Sequence, residues 1–590
     1  MSDEQIIVKD VNSIIEVKGK TNSIFGFSNN YYVANTMEIF ERLAWYGIFG
    51  VLSLYMTAPT DLGGLGVSDQ QRGTLSAVVM SFIYLLPVIT GALGDRYGYR
   101  RMLLISFALM TPSYYLLGQV DSYGTFFLIY MVLAVGAAIF KPLIVGTVSR
   151  ETTDENRSLG FGLFYTMVNI GGFLGPLTVA YLREISWDLA FTMAAAAIAI
   201  NFIPAIFLFK DPAKESDSPK NNKSIKKILI EVQDVLGNGR LALLVVPIMI
   251  LLLIPGTGLL EWKDVGIICF LWLFINFIWD KISKKQNYNW YSSKIKLGNV
   301  PFILYLLILA GFWAVYIQIF VSLNIFIRDY INTSDLITFF NSIDPIMSNF
   351  ISGANVEKLV PLIQQLNLAH TENVTPEIIQ QVYFKLTNYS VMIPANEISQ
   401  LLNLDQSYLD INKANIISNE WISKYQQVKP EIIASINFGS IVILQLFFSK
   451  FSAKFKIFHV LIGGTLLLSL SYLLLAVAPS LLISGTAVVA AVLLFSIGEM
   501  LVSPKSMEYI AMVMPKEKSA MYQGYLYLAS AFGFLAGGLL SGVGYEYFAK
   551  TLNKPGYFWY MFSIIGVISA LALLVYDKYF SNKLESQKQT

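Results

Sequence analysis

One cysteine and two histidines, His370 and His459, are all that 590 residues offer for thiol or soft-metal chemistry. A lone cysteine closes no internal disulfide, and no Cys/His cluster has metal-ligand spacing, so redox and zinc chemistry are set aside and no cofactor is expected. Charge is scarce as well. Asp, Glu, Lys and Arg make up 14% of the chain against 55% hydrophobic residues, and 42 Lys+Arg against 40 Asp+Glu leave a net charge of +2. That balance supplies no bulk attraction to nucleic acid or to an acidic partner. At a mean hydropathy of +0.56, a soluble globular chain of this size would not stay dispersed in water, so lipid is the expected solvent. A cleavable secretory signal is missing too: residues 1–30 mix polar and charged side chains without a basic-then-apolar layout, which reads as a cytoplasmic tail.

Long apolar runs are what the chain has in quantity. About twenty mainly apolar residues cross a hydrocarbon core, and such stretches recur near 31–57, 71–94, 100–119, 124–148, 159–183 and 187–209, then near 241–260 and 263–282. Six more follow near 299–329, 431–449, 456–478, 480–512, 519–545 and 555–578, giving fourteen expected spans grouped six, two and six. The expected fold is an all-α polytopic membrane protein. Its parts are a tail over 1–30, a six-helix bundle over 31–210 and a cytoplasmic linker with two additional spans over 211–298. A seventh core span over 299–330, an extracytoplasmic helical insertion over 331–430, the rest of the second bundle over 431–579 and a tail over 580–590 complete it.

Basic residues set the orientation. Arg96, Arg100 and Arg101, then Arg150 and Arg157, then a run from Lys210 through Lys214, Lys220, Lys223, Lys226 and Lys227 mark cytoplasmic loops, while the loops with Asp61, Asp69 and Asp121 are poor in Lys and Arg. An even span count puts both termini in the cytoplasm of a multi-pass cell (inner) membrane protein. Within 331–430, Val356–Leu366 and Pro376–Leu386 carry apolar residues at helical spacing, so a small helical cap is expected there. Its role is open among a lid, a docking surface for a partner of unknown identity and an inert appendage. Sequons at Asn332, Asn373 and Asn388 read as chance matches in an Asn-rich segment.

An ionisable side chain at mid-membrane costs about 2.5–3.5 kcal/mol on insertion scales, so one that persists faces a cavity and works there. Glu38, Glu41 and Arg42 fall at spacings of three and four in the first span, which puts Glu38 and Arg42 on one face. Lys141 interrupts the fourth span before Pro142, and Glu499 interrupts the tenth core span. In a low-dielectric cavity, a carboxylate beside a guanidinium responds to any rival ligand for that guanidinium. A substrate carboxylate on Arg42 or Lys141 would release Glu38 or Glu41 to take a proton, and carboxylates must carry the proton because histidine is so scarce. Against this stands a purely structural ion-pair reading, which leaves two acids against one base unbalanced.

Several motifs, in order along the chain, resemble a known family. Glu38 to Gly47 reads E-I-F-E-R-L-A-W-Y-G, similar to the E-x-x-E-R-F-x-Y-Y-G signature of the proton-dependent oligopeptide transporters (POT) of the major facilitator superfamily; Gly91 to Arg101 reads G-A-L-G-D-R-Y-G-Y-R-R, similar to the superfamily's cytoplasmic gating motif. Lys141-Pro142, Phe164-Tyr165 with Asn169 and Gly171, Phe312-Trp313-Ala314 with Gln318, Ser435-Ile436-Asn437, and Glu499 with Ser503-Pro504 continue the resemblance through nearly all of the twelve-helix core. The resemblance implies two six-helix bundles of the major facilitator fold. It further implies proton coupling by Glu38, Glu41, Arg42 and Lys141, with Arg42 and Lys141 also meeting the substrate carboxylate. Glu499 would hold the substrate amino group, Asn169, Asn437 and Gln318 would bond the substrate, Tyr46, Tyr84 and Tyr165 would shape the pocket, and Asp95 and Arg96 would gate.

The chain also departs from that pattern. Phe49 and Ile317 stand where the family carries a second arginine and the acid that pairs with it; Leu526 replaces a pocket tryptophan and Phe438 a proline. Losing both members of a buried pair is consistent, since losing one alone leaves a charge costing about 3–5 kcal/mol. Most aromatics are read as packing or interfacial anchors, the Gly171-Gly172 and Gly537-Gly538 pairs as close helix packing, Lys505 and Glu508 as snorkelling or mutually paired, and the two additional spans as lipid-facing. The resulting expectation is proton-driven import of small peptides across a lipid bilayer. Two rivals stay open: a same-fold proton symporter of another amphoteric solute, and a receptor or scaffold that acts through the insertion and moves nothing.

Overall fold

In lipid every backbone N–H and C=O must be satisfied within the protein, which leaves helices as the way to use these apolar runs. The computed structural model describes residues 26–153, 156–212, 237–252, 254–255, 259–283, 293–369, 374–404, 409–513 and 519–581. Among them there is no strand, only isolated bridges. The first half comprises α1 (Asn29–Thr57), α2 (Asp69–Leu85), α3 (Pro87–Tyr97), α4 (Tyr99–Leu117), α5 (Tyr123–Arg150), α6 (Arg157–Ile185), α7 (Trp187–Ile200) and α8 (Phe202–Phe207). Two more helices follow, α9 (Gly239–Leu251) and α10 (Trp262–Ile282). The seventh core span is broken into α11 (Val300–Tyr316), α12 (Gln318–Val321) and α13 (Leu323–Tyr330).

After a block of short helices, the second half resumes with α20 (Pro430–Ser452), α21 (Ile457–Val477), α22 (Ser484–Val513), α23 (Ser519–Gly544), the π-helical α24 (Tyr545–Thr551) and α25 (Pro555–Tyr579). Ten helical runs among the described residues are long and apolar enough to cross a membrane. The other four expected spans are helical but fall short of that standard. The charged cluster dilutes α1, Pro87 splits the second span because it brings no N–H to the ladder, Arg100 and Arg101 open α4, and α9 has only 13 residues.

The block between the halves consists of α14 (Ser334–Ile343), α15 (Pro345–Ile351), α16 (Val356–Ala369), α17 (Pro376–Thr387), α18 (Ala395–Leu402) and α19 (Ile411–Tyr425). It has a core of its own, in which Leu359, Ile363, Leu386, Ile393, Ile398 and Trp421 are buried together. Thr375 and Asp410 cap α17 and α19, each side chain accepting a bond from a first-turn backbone N–H. The block is tied to both halves. Lys385 pairs with Asp61 at 2.6 Å and the Lys358 ammonium donates to the Glu184 carbonyl on one side. On the other, Tyr383 donates to the Asp329 carbonyl at 3.2 Å and Asp335 accepts from Thr486 N at 2.8 Å. Of the sequons, Asn373 lies outside the described residues, and the Asn388 amide is engaged with Arg328 and the Phe384 carbonyl.

The additional pair behaves as its composition suggests. Only 11% of the α10 span is buried within the protein, and Met249, Leu252 and Trp262 rest on a patch made by Ala77, Leu535 and Leu539. One charge was missed there: Arg240, at the start of α9, is wholly buried, bonds Asn276 at 3.2 Å and lies 3.8 Å over the Trp279 ring.

Small residues let key helices approach to backbone contact. A Cβ at Gly73 of α2 would meet the Gly542 backbone of α23 at 2.5 Å, and one at Gly175 of α6 would meet the Leu43 carbonyl of α1 at 2.5 Å. Neither neighbour can rotate away. Gly73→Val or Gly175→Val should therefore cost about 1–3 kcal/mol and lower the melting temperature of the purified protein in detergent. Gly162→Val, at a position with nothing within 4 Å, should leave that melting curve where it was.

Candidate functional site

The first half contributes a charged cluster on α1. Arg42 Nε lies 3.1 Å from Glu38 Oε1 and 2.5 Å from Glu41 Oε2. All three side chains are buried, Glu41 completely. Arg42 therefore acts on Glu41 at direct contact distance. The cluster can form because α6 comes close behind it: a Cβ at Gly171 would strike Arg42 Cβ at 2.7 Å. The Arg42 guanidinium also sits 5.7 Å over the Tyr46 ring.

Lys141 projects from α5 and has no carboxylate within ion-pair distance among the described residues. Instead its ammonium lies 4.3 Å over Tyr84 of α2 and 5.4 Å over Tyr527 of α23, so the first half's free cation is held between aromatic faces from both halves. Glu38, Glu41 and Arg42 are within its coulombic reach.

The second half answers with an acid. Glu499 of α22 is buried; its Oε1 accepts from the Tyr316 hydroxyl at 2.9 Å and its Oε2 from Asn437 Nδ2 at 3.0 Å. Asn437 of α20 also donates to Ser496 Oγ at 3.0 Å, while its own Oδ1 meets no partner among the described residues. No cation pairs with Glu499 among the described residues. Tyr46, Tyr84 and Tyr165 all lie within coulombic reach of Glu499, so the three tyrosines expected at the pocket connect the cationic side to the acidic one.

Other assignments fare differently. Gln318 is turned into the packing: its Nε2 donates to the Ala314 and Gly537 carbonyls at 2.9 and 3.0 Å, its Oε1 accepts from Ser322, and it is wholly buried. The bond to Gly537 reaches α23, and the other two stay within the broken seventh span. Asn169 is buried with its Nδ2 bonded to the Tyr165 carbonyl at 2.8 Å in its own helix. The Asp95 side chain lies outside the described ones. Arg96 is exposed and stacks 5.4 Å over Tyr97, whereas Arg100 makes the bonds of that loop, donating its backbone N–H to Asp211 at 2.7 Å and its side chain to the Ala205 carbonyl at 3.0 Å. Asp211 thereby supplies an anion at the start of α4.

The departures from the family pattern are accommodated by aromatic packing. Phe49 stacks on Trp45 at 5.3 Å and meets Phe320 at 5.4 Å, and Ile317 is buried. Phe320 also touches Tyr46, Tyr316 and Phe438, making an apolar node between the halves where the family would carry a charge pair. Sequence reasoning missed Phe320 and Tyr316, and it missed Tyr114, whose buried hydroxyl lies within coulombic reach of Glu41 and has no hydrogen-bond partner among the described residues. No local motif marks them.

Beyond this node the halves are locked together at the end that carries the insertion. Arg183 of α6 pairs with Glu431 of α20, and Asp69 of α2 is shared by Arg72 at 3.1 Å and by Lys550 of α24 at 2.5 Å. The Val321 carbonyl, at a break in the seventh span, accepts from Ser53 at 2.8 Å and Arg72 at 2.6 Å. Lys505 and Glu508 pair with each other at 2.7 Å and take no part.

The match to the family description "Major Facilitator Superfamily" runs over residues 36–361 and 382–590. The chain belongs to the major facilitator superfamily. Within that superfamily, the resemblance to the POT family is borne out. An uncharacterized transporter of Bacillus subtilis (strain 168), YclF, is 27% identical over 30% of this chain and 37% of its own length. A di-/tripeptide transporter of Lactococcus lactis subsp. lactis (strain IL1403) is 25% identical over 35% of this chain and 44% of its own. The chain thus spans less than half the length of these curated relatives. A crystal structure of a POT family transporter in complex with 5-aminolevulinic acid shares the fold over 95% of this chain and 98% of that one, at a TM-score of 0.61 and 18% identity.

In this superfamily member the Arg183–Glu431 pair is nearly dry, with Glu431 fully buried. Glu431→Gln leaves a buried guanidinium uncompensated and should cost about 3–5 kcal/mol, whereas replacing both residues with methionine should recover most of that. Thermal unfolding of the three purified proteins measures the difference.

Proposed function

We propose that this chain is a proton-coupled symporter that imports di- and tripeptides by alternating access between its two halves, with both termini cytoplasmic in a cell membrane. The observation that carries the reading is a pair of charges of opposite sign, Glu499 buried and Lys141 half-buried, that lack an ionic partner among the described residues. Lys141 in the first half and Glu499 in the second are each held only by aromatic or neutral groups. A dipolar solute satisfies both at once and bridges the halves, and bridging favours closure around a midplane site. The substrate carboxylate meets Lys141 and Arg42, the amino group meets Glu499, and the open Asn437 oxygen accepts from the peptide N–H. Drawing Arg42 toward the substrate weakens its hold on Glu38 and Glu41, one of which takes a proton to stay neutral in a low-dielectric surround. The di-/tripeptide transporter relative supports the substrate class.

A second reading, a same-fold symporter of a different amphoteric solute, is favoured by the apolar Phe49, Ile317 and Phe320 packing in place of a charge pair. A solved relative holds 5-aminolevulinic acid, which is amphoteric without being a peptide. Reconstituted liposomes with an inward acid gradient separate the readings. Dialanine should stimulate proton entry and be taken up; proton entry driven only by other amphoteric solutes favours the second reading, and none with any solute removes both.

Glu499→Gln should weaken binding of a free-amine dipeptide at least about tenfold, the scale of one hydrogen bond to a charged group, while an N-acetylated analogue is little affected. Equal loss for both, by competition binding, would show that Glu499 does not read the amino group.

A further inference from the structure

A partly open cavity lies away from the central charges. A chamber of about 460 Å³ opens where the insertion covers the ends of the two halves, within the range of small-molecule pockets. Most of the charges that line it are already committed. Arg183 is taken by Glu431, Arg328 by Asp329 at 2.7 Å, Asp61 by Lys385 at 2.6 Å and Glu184 by Lys429 at 2.8 Å. Two are not. Glu357 has no charged partner among the described residues, and Lys358 donates to the Glu184 backbone carbonyl while the Glu184 carboxylate within its coulombic reach is already paired with Lys429. They are adjacent at the start of α16, both exposed, and both line the chamber. One free acid and one weakly held base side by side suit a solute with an ammonium and a carboxylate.

We infer that this chamber is a second binding site for a zwitterionic amino acid or short peptide, and that its occupant holds the insertion end of the transporter shut. The second clause follows from the walls. Asp61, Arg183 and Trp187 belong to the first half, Ile327 and Arg328 to the second, and Asn355, Glu357 and Lys358 to the insertion. When the halves part at this end, the chamber loses a wall. A solute that binds only the shut form shifts the population toward it by its differential affinity. Resting on the import reading, high external solute then slows the return step, so uptake passes through a maximum and falls.

The test uses the full-length protein and radiolabelled dialanine. In Glu499→Gln protein, whose central site is impaired, a weak saturable class of binding should remain, and adding Glu357→Gln with Lys358→Gln should weaken that class about tenfold or more. In liposomes, wild-type uptake should decline at high dialanine, whereas Glu357→Gln/Lys358→Gln protein should rise to a plateau with an unchanged KM. Both side chains are exposed, but Lys358→Gln also loses the tie to the Glu184 carbonyl, so Glu357→Gln alone should show the same weakened binding and lost inhibition with an unaltered melting curve. No residual binding in Glu499→Gln, or binding and uptake curves that ignore the Glu357/Lys358 substitutions, would overturn the inference while leaving import intact. Residual Glu357-dependent binding in a protein that carries no dialanine under any gradient would keep the chamber and overturn import instead.

Discussion

A charge placed in oil must find its counter-charge inside the protein or stay poised for a visitor, and this constraint sorts the buried ionisable groups into two kinds. Buried Glu431 with the partly buried Arg183, and buried Asp69 with Arg72 and the exposed Lys550, are closed on themselves. They fasten helices from opposite halves, and their value lies in not being disturbed while that end is shut. Lys141, Glu499 and the two acids sharing Arg42 are left open. The second kind costs stability in the resting protein, because an aromatic face or a neutral hydroxyl compensates a full charge only in part. Under the proposed import, that unspent attraction is what a dipolar solute collects, and the same side chains then both bind it and sense protonation.

The fold was legible because its determinant is coarse. Twenty apolar residues per crossing is a signal that survives any detail of packing, and the interruptions at Glu38, Lys141 and Glu499 stand out against it. The charged half of the site was legible for the same reason. What the sequence hid was direction. Gln318 and Asn437 both look like amides in spans, yet one has both its amide nitrogen and its oxygen bonded within its own span and to α23, and the other leaves an oxygen open among the described residues; only the neighbouring helices decide which. The seal was hidden because its partners lie far apart in the chain, as Arg183 and Glu431 do. Phe320 was hidden because an aromatic in an apolar run carries no mark of the four rings it will meet.

The insertion deepens this picture, because it has its own buried core and yet fastens to both halves by polar contacts at its rim. A small helical domain attached to one half alone would ride along with it. Attached to both, it adds a load to any motion that separates them, and the breaks flanking α12 supply the local freedom for the second half to yield.

The glycine seam between α2 and α23 bears on how expensive that motion is. Where side chains interlock, parting two helices uncovers apolar surface at about 25 cal/mol per Å² wherever water replaces the partner. Along Gly73 and Gly542 the helices touch through peptide groups already satisfied within each helix, and there is little greasy area to wet. A smooth, shallow contact of this sort grips tightly by proximity yet surrenders cheaply, which suits a surface that the proposed alternating access makes and unmakes once in every cycle.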